Sequence, residues 1–224
     1  MAGISQFDPQ LFVKILPSLA YGAYITVKLT SISILLGLIL GTILGMGRIS
    51  KNPLFFSIST SYVEFIRGTP LLVQIMIVYY GLPAIGLNLP AEPAGILALT
   101  LNSGAYIAEI IRAGIQSVPK GQMEAARSLG MTYLQSMRYV IFPQAFRNVL
   151  PALGNEFIAL LKDSSLLSVI AIAELTRVGK QIYSTTFNAW TPLLGVALFY
   201  LMMTLPLSRL VNYAQRRIGG HELA

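Results

Sequence analysis

Glu156 and Asp163 stand seven residues apart in a largely apolar stretch, Val149 to Ile172. Seven residues are close to two helical turns, so both carboxylates share one face about 10 Å long. Asn155 and Ser164 widen that polar stripe. An ionisable side chain at membrane depth costs roughly 2.5 kcal/mol or more, so it lines a polar cavity or has a partner. Two carboxylates on one face could hold two positive groups of one small solute. Lys162 points about 100° away and either pairs with Asp163, fixing helix packing, or meets a negative group of the solute. A second face carries Asn102, Tyr106 and Glu109 at i, i+4 and i+7, with Arg112 one turn beyond Glu109 as its expected ion-pair partner. Gln74 either lines the same path or bonds a neighbouring helix. Glu64 and Arg67, one turn apart, read as a structural pair.

Covalent chemistry has little to work with. The chain has no cysteine, which removes disulfides, thiolate metal sites and cysteine nucleophiles. An intramembrane serine hydrolase would need a base within reach, and the one imidazole, His221, lies in the last four residues.

The elements that must position these residues are membrane helices. Of 224 residues, 54% are hydrophobic and 11% charged, with a mean hydropathy of +0.67; this is an all-α membrane protein rather than a soluble globule. The net charge of +7 is scattered among apolar runs, so nucleic acid is not indicated. Residues 1–18 read as an amphipathic or irregular lead-in without the order of a signal peptide, and residues 214–224 as a tail. Five spans are expected, near 19–46, 70–85, 94–115, 149–172 and 190–210. The first holds nineteen uncharged residues from Leu29 to Gly47, enough to cross roughly 30 Å of hydrocarbon. Its Gly37, Gly41 and Gly45 form a tandem GxxxG that admits close helix approach. Residues 52–67 suggest a helix along the surface, and at Gly68-Thr69-Pro70 the chain resets, with Thr69 as a cap and Pro70 in the first turn. Pro83, Pro90 and Pro93 predict a rigid loop, and Glu174, Arg177 and Lys180 fall in a loop before the last span.

Basic residues set the orientation. Arg48, Lys51, Arg67, Arg112, Lys120, Arg127, Arg138, Arg147, Arg209, Arg216 and Arg217 fall on one side, against Lys14, Lys28, Arg177 and Lys180 on the other. The positive-inside bias therefore predicts a multi-pass protein with its N-terminus outside and its C-terminus in the cytoplasm.

Between spans three and four lies a charged insert, about residues 117–143. Gln122 to Leu129 predicts a short helix that Gly130 ends with a positive φ, and Met131 to Tyr139 a second helix at an angle. Ala125 and Ala126 leave one face bare for close approach by another protein. Glu124 and Arg127 could pair with each other or with that partner.

Glu124-Ala125-Ala126, then Gly130, then Val140-Ile-Phe-Pro143 resembles the EAA loop of the membrane subunits of binding-protein-dependent ABC importers, with Val140 where that family usually has Ile. Glu64-Phe-Ile-Arg-Gly-Thr-Pro-Leu-Leu-Val-Gln74, Ser103-Gly-Ala-Tyr-Ile-Ala-Glu109 with Arg112-Ala-Gly-Ile, and Pro151-Ala-Leu-Gly-Asn-Glu156 with Lys162-Asp-Ser-Ser-Leu resemble its polar amino acid permeases, of histidine, arginine or glutamine type. The resemblance runs in family order through residues 19–213. It implies a type I ABC importer transmembrane domain of five helices in a prokaryotic cell membrane, with cytoplasmic coupling helices carrying Glu124, Ala125, Ala126, Arg127, Gly130 and Pro143. It also implies a second permease subunit, identical or closely related, two cytoplasmic ATP-binding subunits and an extracytoplasmic amino-acid-binding protein. ATP and Mg²⁺ would belong to the ATP-binding subunits. This chain itself lacks a G-x-x-x-x-G-K-[ST] loop, and no cofactor or metal is assigned to it.

On that reading Glu156 takes the α-ammonium of a polar amino acid and Asp163 a cationic side chain. Asn155, Ser164, Asn102, Tyr106 and Gln74 line the path, and membrane lipid surrounds the rest. Arginine, lysine or histidine is favoured, with glutamine, glutamate or another polar amino acid as the alternative. A secondary transporter or channel is disfavoured by the insert and by the lack of a detectable inverted repeat.

Overall fold

The computed structural model describes residues 7–219, and they are helical almost throughout. Asp8 caps the first helix by accepting from the amides of Gln10 and Leu11 at 2.9 and 3.0 Å, and Pro9 occupies its first position. α1 then runs unbroken from Pro9 to Gly47. The boundary expected at residue 18 is absent, because a capped start at Asp8 carries the helix straight through Pro17.

α1 packs along α4 (Ala91–Gln116). The glycine stripe is the seam: a Cβ on Gly37, Gly41 or Gly45 would sit 2.2 Å from Ser103 Oγ, 2.6 Å from Ile107 and 2.9 Å from the Ala108 carbonyl oxygen. Without a hydrophobic drive between helices in lipid, contact of this closeness is what holds them together. Leu29, Ile75, Leu99, Ile107 and Leu160 fill the shared core.

α2 (Pro53–Arg67), capped by Asn52, bends by 103° into the segment Leu71–Ile85. That segment is α3 (Leu71–Met76), a π turn (Ile77–Gly81) and a 3₁₀ turn (Leu82–Ile85). Pro70 is the N-cap of α3, and Thr69 donates instead to Phe65 and Ile66, closing the end of α2. The expected N-capping by Thr69 therefore belongs to the preceding helix: its hydroxyl is nearer the orphan carbonyls of α2.

α5 (Lys120–Ser128) ends at Gly130, whose φ is +81°. The second insert helix is not separate. Thr132 and Gln135 form a capping box for α6 (Tyr133–Ser136), which continues through a π turn (Met137–Ile141) into α7 (Phe142–Asp163). Span four thus starts earlier than expected and closes on Asp163, followed by a 3₁₀ segment to Ile170. The loop expected near residue 174 contains α8 (Leu175–Thr186), and α9 (Trp190–Gly219) absorbs the start of the expected tail. His221 and residues 220–224 lie outside the described residues.

α1, α4 and α9 (as Trp190–Arg217) are long and apolar enough to cross a membrane, and the bent pair of α2 with Leu71–Ile85 makes a fourth when taken as one span. α7, with 22 residues, is long enough but too polar to join them by composition.

Candidate functional site

α7 packs between α4 and α9 and shows the remaining side outward. A Cβ on Gly114 would meet Val149 Cγ2 at 2.1 Å, so counting along these antiparallel helices at 1.5 Å per residue places Glu156 level with Tyr106. Asp163 lies about 10 Å further toward the C-terminal end of α7 on the same face. Asn155, Lys162 and Asp163 are exposed and Glu156 is half-buried. The expected Lys162–Asp163 ion pair does not form, nor is either acid ion-paired among the described residues. The two carboxylates, Asn155 and Tyr106 therefore form one accessible polar surface. Ser164 does not join it: it is fully buried and donates to the Leu161 carbonyl at 2.8 Å.

Gln74 and Asn102, both expected on the path, are committed elsewhere. The Gln74 amide donates to the carbonyls of Ile66 at 2.7 Å and Thr69 at 3.0 Å, and to Thr69 Oγ1 at 2.9 Å. Its own oxygen accepts from Asn102 Nδ2 at 3.0 Å. Both are 6% exposed. A helix that turns by 103° leaves carbonyls that cannot be satisfied internally; the Gln74 amide satisfies them and Asn102 holds Gln74 in place.

Toward the end of α4, three guanidiniums converge on Glu109. Arg48 and Arg112 are both ion-paired with it, Arg112 Nε at 3.0 Å, and Arg67 follows at 3.9 Å. Arg67 also lies 5.3 Å from the Tyr106 ring centroid. The expected Glu64–Arg67 pair is absent, because α4 offers this arginine both a carboxylate and an aromatic face.

The insert presents a different kind of surface. Glu124, Ala125 and Arg127 are exposed, while Ala126 is 3% exposed beside the cluster of Val118, Ile141 and Ala145. The bare face expected from two alanines is therefore Ala125 alone; Ala126 lets α5 lie close on its own chain. Arg127 pairs with neither Glu124 nor another acid but donates to the Met131 carbonyl at 2.7 Å, closing the turn around Gly130. Pro143 sits in the first turn of α7, where the π turn before it removes the need for its missing N–H. Sequence reasoning passed over Leu129 and Leu134, 83% and 76% exposed on either side of Gly130. Large apolar side chains held out of a polar loop mark a partner surface, and their place beside a turn glycine was the available signal.

Glu174 was also missed. Its carboxylate is fully buried, caps α8 through the amides of Thr176 and Arg177 at 2.8 and 2.7 Å, and accepts from Tyr200 at 3.3 Å. Burial pushes this carboxyl up from its usual range, and the two amides and the phenol pull it back. Arg177 and Lys180 bond Ser168 on the 3₁₀ segment. These three charges knit the end of the molecule where α7 meets α8 and leave the carboxylate surface to α7.

Residues 33–220 match the family model described as the binding-protein-dependent transport system inner membrane component. The chain is 46% identical to the probable glutamine ABC transporter permease protein GlnM of Bacillus subtilis over 88% of its own length and 91% of that relative. It is 39% identical to the arginine transport system permease protein ArtQ of the same organism, over 92% and 95%. Among solved structures, a chain of an amino acid ABC transporter crystallised with histidines superposes with a TM-score of 0.91 at 48% identity, over 95% and 99% of the two chains. An inward-facing form of the MetNI methionine ABC transporter shares the fold, with a TM-score of 0.78 at 21% identity over 92% and 98%. With its EAA loop, its all-helical fold and these matches in agreement, the chain belongs to the family of inner-membrane components of binding-protein-dependent transport systems.

Proposed function

We propose that this chain is the translocating subunit of an ATP-driven amino acid importer and that its substrates are basic amino acids. The observation that carries the substrate reading is the uncovered face of α7, where Glu156 and Asp163 stand two turns apart without a basic partner. A cationic amino acid brings two positive groups and one negative group. Glu156 takes the α-ammonium, Asp163 the cationic side chain, and the exposed Lys162 faces the α-carboxylate. Low dielectric around the cavity strengthens each pairing. Glutamine, the substrate named for one of the relatives, would engage Glu156 alone.

Energy comes from outside the chain. Two ATP-binding subunits close on ATP and Mg²⁺, and the insert, seated on them through Leu129, Ala125 and Leu134, carries that motion to α7 as part of one continuous helix. A second permease subunit completes the cavity, and an extracytoplasmic binding protein delivers the amino acid. α7 is the fifth crossing, its charges facing the cavity rather than lipid, with the N-terminus outside and the insert in the cytoplasm of a prokaryotic cell. The inward-facing neighbour supports a rocking cycle only through its fold.

The test compares substrates in the assembled transporter. Glu156→Gln is expected to impair transport of every amino acid. Asp163→Asn should weaken arginine, lysine or histidine by roughly tenfold or more, the scale of one lost hydrogen bond to a charged group, and leave glutamine nearly unchanged. Equal losses for basic and neutral substrates would overturn Asp163 as the selectivity residue.

A further inference from the structure

Away from the carboxylate surface, α1, α7 and α9 leave an apolar groove of about 410 Å³ between them. Leu38, Leu150, Gly154, Phe157, Leu210 and Ala214 line it. Among the described residues no element covers it, and it lies on helices read as crossing the membrane. Its axial position is fixed by one contact: a Cβ on Gly154 would lie 2.5 Å from Val211 Cγ2. From that crossing, α7 leads back through Pro151 and Leu150 to Arg147, at the i, i+3, i+4 and i+7 spacing of a single face. On α9 the same direction leads from Leu210 through Ala214 to Arg217, again i, i+4 and i+7. Both arginines therefore stand at one mouth of the groove, about 10 Å from the Gly154 contact.

The mouth is strongly basic. Arg147, Arg216 and Arg217 are all exposed, and none is ion-paired with an acid among the described residues. The Arg217 guanidinium lies 5.2 Å from the Tyr213 ring centroid, a cation–π contact one turn back on the same helix. An apolar trough ending at paired guanidiniums matches a molecule with a hydrocarbon tail and an anionic phosphate head.

We propose that this groove binds an anionic glycerophospholipid of the cytoplasmic leaflet, one acyl chain in the trough and its phosphate between Arg147 and Arg217. The site is distinct from the amino acid path, whose acids lie on another face of α7. It rests on the orientation proposed above, which puts this mouth at the cytoplasmic surface. A bound lipid here would staple α7 to α9 at the depth where α7 enters the membrane from the insert.

The complete transporter, with its ATP-binding subunits, is purified into detergent and then into nanodiscs of either phosphatidylglycerol or phosphatidylcholine. Native mass spectrometry is expected to show phosphatidylglycerol retained by the wild type. Each arginine near an anionic surface contributes about fivefold in affinity, so Arg147→Gln with Arg217→Gln should reduce retention by roughly 25-fold. Ala214→Phe, which fills the trough while leaving both arginines, should expel the lipid as well. Inorganic phosphate alone should fail to stabilise the detergent complex, which separates a lipid from a free anion. Undiminished retention in both variants would overturn the proposal, as would a second copy of the chain crosslinking through Leu150. Cysteine labelling of the orientation is a separate measurement: an outward-facing mouth would sink the proposed topology, whereas an inward-facing mouth with lipid retention unchanged in the variants would sink this site alone.

Discussion

Gln74 shows most sharply how a residue's chemistry is decided by its neighbours. Its amide nitrogen is consumed by the bend between α2 and α3 and its oxygen accepts from Asn102, so Gln74 is turned to the fold rather than to a solute. Gln74→Leu should lower the thermal stability of the complex by about 2 kcal/mol, the scale of buried groups left unsatisfied. KM for transport should remain within twofold of wild type, because no solute contact is removed; a selective rise in KM would return Gln74 to the path. Glu109 makes the opposite case, since one carboxylate compensates two ion-paired guanidiniums. Glu109→Gln leaves them uncompensated and is expected to destabilise the assembly by about 3 kcal/mol, read as loss of detergent-stable complex while the single-helix inserts remain in the membrane. At this scale the sequence put Glu156 and Asp163 on one face of α7 and left open a Lys162–Asp163 packing pair, which the structure does not form. It was silent about Gln74 and Asn102, whose pairing spans 28 residues and depends on a bend angle.

At the scale of elements, periodicity and capping residues located most helices, and the glycine stripe on α1 was legible because its spacing matches a helix face. Boundaries were less so. The start of α1 at Pro9 depends on a cap that has no periodic signature, whereas α8 carried one in Leu175, Val178 and Ile182 that its reading as a loop overlooked. Gly130 was read correctly as the positive-φ residue, and the structure shows open space around it. A substitution there is therefore opposed by backbone conformation alone, at roughly 1–2 kcal/mol. Gly130→Val should shift α5 against α6 and abolish transport or uncouple it from ATP hydrolysis while the permease still assembles in the membrane. Normal transport by that variant would remove the insert from the coupling path.

For the whole molecule, the seam between α1 and α4 makes two helices into one stiff unit, with backbone within contact distance at three successive glycines. The proposed rocking motion would then be taken up away from that seam, along α7 and α9. The proposed orientation is directly measurable, since a cysteine-free chain carries no background label. A cysteine at Gly121 should be reached only from the cytoplasm and one at Ala91 only from outside. Outside labelling at Gly121 in intact cells would reverse the topology and the coupling role with it.

The two π turns make length and composition one inherited trait. Met137–Ile141 precedes Pro143, and Ile77–Gly81 precedes Pro83. In each, the amide that follows bonds five residues back, Phe142 to Met137 and Leu82 to Ile77, so each turn holds one residue more than an α-helix needs. That surplus residue keeps the proline ring off the carbonyl four positions before it. Deleting Val140 should therefore damage the helix, not because a contact is lost but because the ring is driven into its own backbone. Replacing Pro143 by alanine in the same chain should largely repair it. The two lesions would be strongly non-additive, and neither the proline nor the extra residue is free to vary without the other.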